Sequence, residues 1–190
     1  FGIASNSITL IDLSTFSQIS QLIIFFITLD FFQWLTHIMM HRFDFLWKFH
    51  KVHHSVKEMG FAAHFHYHWM ENILYKPLKV FAVMLIGGFE PEQAYLIHFL
   101  TITIGHLNHS NIKLSYGALK YIFNNPIMHL HHHASSSSNN FKTGVNFAIS
   151  LSIWDYIFKT NYIPNENGDT KLGYEGDQSM AKSFIGQLFY

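Results

Sequence analysis

Residues 30–55 read DFFQWLTHIMMHRFDFLWKFHKVHHS and carry five histidines between His37 and His54. His37 and His41 are four apart, so on a helix they share a face, about 40° from each other. Asp30 and Trp34 extend that stripe backward. His50, His53 and His54 follow at i, i+3 and i+4, which predicts a second helical face of imidazoles, with Lys51 and Val52 turned elsewhere. Neutral imidazole is the commonest metal ligand, so two convergent rows of it point to metal chemistry.

Outward from that stretch, Asn125-Pro126 predicts a helix start with proline at the first helical position. From it His129, His132 and His133 repeat the HxxHH order on one face. His131 falls about 200° from His129 and is predicted to point away. Eight histidines exceed the roughly four to six ligands of one metal, so the count implies two. His106 and His109, three apart at the end of an apolar run, are candidate further ligands. His98 lies about 16 Å up a straight helix from His109 and reads as a core or channel residue. In FAAHFHYHWME, His64, His66 and His68 alternate, and His68 with Glu71 reads either as a ligand with its orienting carboxylate or as an interfacial pair. Asp30, Glu58, Glu71 and Asp155 are candidates to orient imidazoles through the other ring nitrogen.

Composition narrows the setting. Of the 190 residues, 49% are hydrophobic and only 13% charged, where a soluble domain carries roughly 25% charged. Such a surface is hard to cover with charge, and part of it is expected to face lipid. Net charge is zero with 12 groups of each sign, which leaves no electrostatic footprint for nucleic acid. The absence of cysteine excludes disulfide scaffolds, zinc ribbons, thiolate haem and iron–sulfur clusters. Residues 1–190 read as a single domain with a polar tail over 161–190 and a polar loop at Ser135–Asn140. The chain begins at Phe1 without a signal peptide, as expected of a fragment or processed form.

Three stretches are candidates to enter a bilayer: Leu13–Leu29, Asn72–Phe89 (interrupted by Lys76, Pro77 and Lys79) and Ala94–Ile112. Each approaches the span of about 20 apolar residues, with buried helices of a soluble bundle as the alternative. Arg42, Lys48, Lys51 and Lys57 follow the first stretch, which assigns that end to the cytoplasm. The second and third meet at GGFEPEQA, which carries acids and no base, so a hairpin there goes out and returns. The expected fold is an all-α integral membrane bundle of helical hairpins, with a helical, His-lined di-metal site on the cytosolic side.

The ordering and the words around it resemble the fatty acid hydroxylase / sterol desaturase superfamily, from about Asp30 to about Phe189. The family's opening signature, an Asp, an aromatic, then HRxxH and LWxFHxxHHS, is similar to residues 30–55. Its RxHxxE element is similar to HYHWME at His66–Glu71, its HSN element to His109-Ser110-Asn111, and its NYG…WDxxFGT element to NFAISLSIWDYIFKT, residues 146–160. KLGYEG resembles the LGF-type segment of bacterial members. Three positions depart: Ile38 and His66 replace family arginines, and Lys159 replaces the Gly of FGT. The resemblance implies four membrane helices in two hairpins, the first helix lying upstream of Phe1. It implies that His37, His41, His50, His53, His54, His129, His132 and His133 form an eight-histidine ligand set, with His109 as the HSN histidine. It implies two iron ions and O2-dependent hydroxylation or desaturation of a lipid such as a sterol or fatty acyl chain; by the general affinity order, an all-nitrogen site also takes zinc. No haem, flavin or iron–sulfur signature is present, so electrons are expected from a ferredoxin, a cytochrome b5-like carrier or a reductase. The membrane would be the bacterial inner membrane, or the endoplasmic reticulum in a eukaryote.

Two rival classes use the same residues. A zinc-dependent membrane hydrolase would want the general-base Glu of HExxH, and the sequence offers HIMMH. A non-enzymatic His-rich metal carrier would not need clusters in helical register.

Overall fold

A computed structural model describes residues 9–88, 90–135, 144–163 and 170–189. Residues 136–140 of the predicted polar loop and 164–169 of the tail lie outside the described residues. The chain is mostly helical, in the order β1 (Ile11–Asp12), α1 (Gln18–Arg42), α2 (Asp44–His50), α3 (Met70–Leu85), β2 (Ile86–Gly87), α4 (Pro91–Asn108), α5 (Pro126–His132), α6 (Ile153–Ile157) and α7 (Phe184–Leu188). The all-α expectation is corrected at one point: β1 and β2 form a short parallel pair, Ile11 opposite Ile86.

The first apolar run does not become helix from its first residue. Leu13 N donates instead to Gly87 O, and Ser17 caps α1 by accepting from Ser20 N. α1 then runs 25 residues, about 37 Å at the helical rise, and ends where Phe43 turns extended. Among the described residues α1 is the one helix long and apolar enough to cross a membrane. α4 opens on a capping box between Glu90 and Gln93 with Pro91 at its first turn, and α5 on Asn125, whose side chain accepts from Met128 N at 3.0 Å.

Hydrogen bonds at the two ends of the long helices fix their relative direction. At one end, Leu10 N donates to Leu85 O at the close of α3, and Gln93 Nε2 in α4 donates to Gln21 Oε1 in α1 at 3.0 Å. At the other end, Glu71 in the first turn of α3 meets His50, and His109 at the close of α4 meets His53. So α3 leaves the histidine end and α4 returns to it, with α1 packed against both.

A non-helical segment, residues 144–152, runs through the interior. Val145, Phe147 and Ala148 are fully buried, and a buried strand without a sheet must satisfy its backbone elsewhere. Asp155 accepts from Phe147 N and Ala148 N, Asp30 Oδ2 from Leu151 N, and Asn108 Nδ2 donates to Ile149 O. Asn146 holds φ 53° and Lys159 φ 58°, the left-handed region that Asn tolerates and glycine prefers. The family Gly that Lys159 replaces sits where that backbone is required. Trp34, Ile38, Phe147 and Ala148 form the core beside this segment.

Candidate metal centre

Nine histidines converge in two groups. His37, His41, His50, His54 and His132 form one; His53, His109, His129 and His133 form the other. Within each, one ligand nitrogen per residue lies within 4.8 Å of all the rest. The groups adjoin, with the His54 and His133 rings stacked at 4.4 Å.

The division corrects one expectation. Each HxxHH motif was predicted to present a single face, yet each splits. α2 stops at His50, and His53–Ser55 is a separate 3-10 turn. His53 therefore joins one group and His54 the other. In α5, His132 is the last helical residue and His133 its cap, and they too part, because consecutive helical residues point about 100° apart. The adjacent pair of each motif is divided between the two groups.

The second ring nitrogens show how the first are aimed. His37 Nδ1 donates to Phe147 O at 2.6 Å, His132 Nδ1 to Val145 O at 2.8 Å, His53 Nδ1 to His66 O at 3.0 Å and His109 Nδ1 to Gly105 O at 2.7 Å. A carbonyl can only accept, so these Nδ1 atoms carry the proton and each Nε2 is a bare lone pair. His50 Nδ1 meets Glu71 Oε2 at 3.1 Å. The consequence is sharpest at His53 and His109, whose Nε2 atoms face each other at 3.1 Å. With both protons committed to carbonyls, two lone pairs oppose each other, an arrangement a cation between them stabilises. The Nε2 atoms of His37 and His50 likewise approach to 3.0 Å, as do those of His109 and His129. The buried Nε2 atoms of His41, His54, His132 and His133 have no hydrogen-bond partner among the described residues. Spacings near 3 Å suit adjacent ligands at metal–nitrogen bonds of about 2.1 Å. The residues present fit two metal ions.

Electrostatics agrees with that fit. Burial holds His50, His54, His129, His132 and His133 well below the ordinary imidazole range, and repulsion among neighbouring rings adds to it. His53 is drawn down to about 4 by burial, against the bond to His66 O. All are neutral at pH 7, the form that binds metal.

Several candidates fall elsewhere. His68 is buried, but its Nδ1 accepts from Met70 N and its ring lies against Phe49; Glu71 serves His50 instead. His106 donates to Phe61 O and packs on His64, outside both groups. His98 is exposed rather than core. Glu58 is exposed and touches no imidazole. Asp30 binds Trp154 Nε1 and Leu151 N, and Asp155 binds Trp34 Nε1, Thr160 Oγ1 and two backbone amides. Both carboxylates brace the 144–152 segment whose carbonyls aim His37 and His132, one step further back than predicted. His131 turns away as expected, toward Tyr162 at 6.0 Å. Sequence reasoning gave no role to His64, which stacks on His109 at 4.7 Å. Its place depends on Gly105: a Cβ there would run into His64 Cε1.

Beside the imidazoles, between α1 and α3, is a cavity of about 170 Å³ that reaches His37, His50, His53 and His109 and extends along α3 to Lys79. The tail, which does not line that cavity, packs against the centre elsewhere. Gly173 N donates to His133 O and Ser135 N to Lys171 O, Leu172 and Met180 are buried, Tyr174 meets Trp47, and Lys57 pairs with Asp177. The tail is polar in composition but partly interior.

The sequence profile of the fatty acid hydroxylase family matches residues 22–160. An ornithine lipid hydroxylase of Rhizobium tropici is 28% identical over 169 residues, 88% of this chain and 49% of that protein. The alkylglycerol monooxygenase of Homo sapiens is 27% identical over 146 residues, covering 74% of this chain and 30% of its own length, and that of Caenorhabditis elegans is 25% identical over 135 residues. The chain thus spans about half the length, or less, of these relatives. No solved structure matches it.

Proposed function

The chain belongs to the fatty acid hydroxylase family, and on that premise we propose that it is a membrane-bound di-iron oxygenase that hydroxylates a lipid, using O2 and electrons from a separate carrier. The observation that carries the reading is the pair of Nε2 lone pairs at His53 and His109, opposed at 3.1 Å with both Nδ1 protons given to carbonyls. One ion is held by His37, His41, His50, His54 and His132, the other by His53, His109, His129 and His133. Iron bound there would supply the oxidising chemistry that O2 needs to attack an unactivated C–H bond. The chain's own share is positional. The carbonyls of Val145, Phe147, His66 and Gly105 fix the rings, Glu71 fixes His50, and the tail over His133 keeps that side of the centre from solvent. The cavity between α1 and α3 admits the substrate.

The membrane reading rests on α1 and on apolar side chains left exposed along the long helices. They include Ile19, Ile23 and Ile27 on α1, Val80 and Phe81 on α3, and Leu96, Phe99 and Leu100 on α4. Contiguous exposed apolar surface of this kind marks contact with lipid or a partner. The basic residues Arg42, Lys48, Lys51 and Lys57 at the histidine end favour the cytoplasmic side.

The protein purified from iron-supplemented cells is expected to hold two irons per chain. Supplied with reductant and lipid extract, it is expected to consume O2 and yield a lipid heavier by one oxygen atom. Zinc alone, with hydrolysis products and no O2 uptake, would overturn the reading. Sidedness is checked with single cysteines, the chain having none of its own. In sealed vesicles a thiol reagent that cannot cross the membrane should label Lys57→Cys and Glu90→Cys from different sides.

A further inference from the structure

The cavity is walled by α3 residues that a helix facing lipid has no reason to carry. Glu71, Tyr75 and Lys79 follow at four-residue intervals and line it together, with Gln33 of α1 opposite. Lys76, one residue beyond Tyr75, is exposed, whereas Lys79 is turned inward and half-buried. The Lys79 ammonium makes no ion pair with any carboxylate among the described residues. Glu71 does not answer it: its Oε2 is engaged by His50, and eight residues of helix separate the two, about 12 Å. On a helix that enters the bilayer, as the membrane reading holds for α3, an inward cation without a protein counter-ion marks a functional site.

The charge balance of the neighbouring centre points the same way. Both groups of donors are imidazoles, which bring no negative charge to offset two divalent ions, and Glu71 is the one acidic residue that lines the cavity. One carboxylate, already engaged by His50, does not balance two divalent ions and an ammonium, so the cavity is short of negative charge, and its cationic end lies about two helical turns from the histidines.

We propose that Lys79 is the anchor for a carboxylate-bearing amphiphile, binding the carboxylate at the far end of the cavity while the chain runs back along Tyr75 toward His37 and His53. Tyr75 and Gln33, with Tyr67 and Asn72, line the same cavity and carry further donors. A single ammonium balances a single negative charge, which favours a carboxylate over a phosphate. The inference rests on the lipid-oxygenase reading but is tested without turnover.

The full chain, metal-loaded and reconstituted in nanodiscs of neutral lipid, is titrated with palmitate, hexadecanol, hexadecyl phosphate and butyrate, following the displacement of a spin-labelled fatty acid. Palmitate is expected to bind at least tenfold tighter than hexadecanol, as a charge-assisted hydrogen bond allows. Lys79→Met should erase that preference, Lys79→Arg should keep most of it, and Lys76→Met should leave it intact. Metal content shows that each variant has folded. Equal binding of palmitate and hexadecanol, or a preference that survives Lys79→Met, would overturn the proposal. Tighter binding of hexadecyl phosphate would overturn the carboxylate, and equal binding of butyrate would overturn the amphiphile. If the protein proved not to be an oxygenase, the Lys79-dependent preference would still be read, so the two failures are distinguishable.

Discussion

Glu71 and His50 meet where α3 begins and α2 ends, Oε2 to Nδ1 at 3.1 Å, with both side chains buried. The bond fixes which nitrogen of His50 faces its metal group, and such carboxylate–imidazole partners tune affinity by about 10- to 100-fold. Glu71→Ala is therefore expected to weaken one of two metal sites by that order, while His68→Gln leaves both near wild type. Metal titration against a chelator of known affinity separates them. The assignment is wrong if His68→Gln is the damaging variant.

The splitting of each HxxHH motif predicts which ion each histidine loses. His54→Ala and His132→Ala should each lower the metal content from two toward one by emptying the five-histidine group, and His53→Ala and His133→Ala by emptying the other. All four should lower turnover by at least two orders of magnitude. His131→Gln and His106→Gln should keep two ions and most activity. Loss of both ions in every single variant would mean that the nine donors form one cooperative cluster.

Acid should act on the metal-free protein through the same rings. The folded-state pKa of His50, His54, His129, His132 and His133 is depressed by burial. Above the unfolded value of about 6.5 they are neutral in both states and contribute no pH dependence. Below it the unfolded chain takes up protons that the folded chain cannot. Stability is therefore expected to fall as pH drops from about 6.5 toward the folded values, about 4 for His53. A thermal-melt series on chelator-treated protein from pH 8 to pH 5 should show Tm level at first and then declining. A Tm that rises with acidity would contradict the buried, neutral cluster.

Gly105 gives room to a ring. Gly105→Ala drives a methyl into His64 and disturbs its stack on His109, at a cost of roughly 1–3 kcal/mol for overpacking. In a His64→Ala background the same substitution should cost much less, since the two side chains would compete for one space. Equal destabilisation in both backgrounds would place the strain elsewhere.

What the sequence disclosed follows from what a residue can announce. His37 with His41, and His129 with His133, sit at helical spacings, so their convergence was legible; Asn125-Pro126 likewise announced the start of α5. The parting of His53 from His54 was not legible, because it depends on α2 stopping at His50, and no glycine or proline marks that stop. The partners of the second ring nitrogens were harder still. Four of them are backbone carbonyls, and any residue supplies a carbonyl, so Val145, Phe147, His66 and Gly105 left no signature. Asp30 and Asp155 were recognised as important acids, but which groups they bind depended on the buried path of residues 144–152. β1 pairs with β2 across a long sequence separation, and two residues of strand are too few to show a period.

The seam that joins Gly173 to His133 and Lys171 to Ser135 has a meaning in the order of synthesis. The ribosome delivers all nine donor histidines before it delivers Lys171 or Gly173. In that interval the imidazoles would be open to whichever divalent ion the cell supplies, and nitrogen sites favour copper and zinc over ferrous iron. This later segment is thus expected to close the period in which the metal can still be exchanged. A chain cut before Lys171 would retain every donor, yet should surrender its metal to a chelator faster than the intact chain; equal rates would show that the seam has no part in retention.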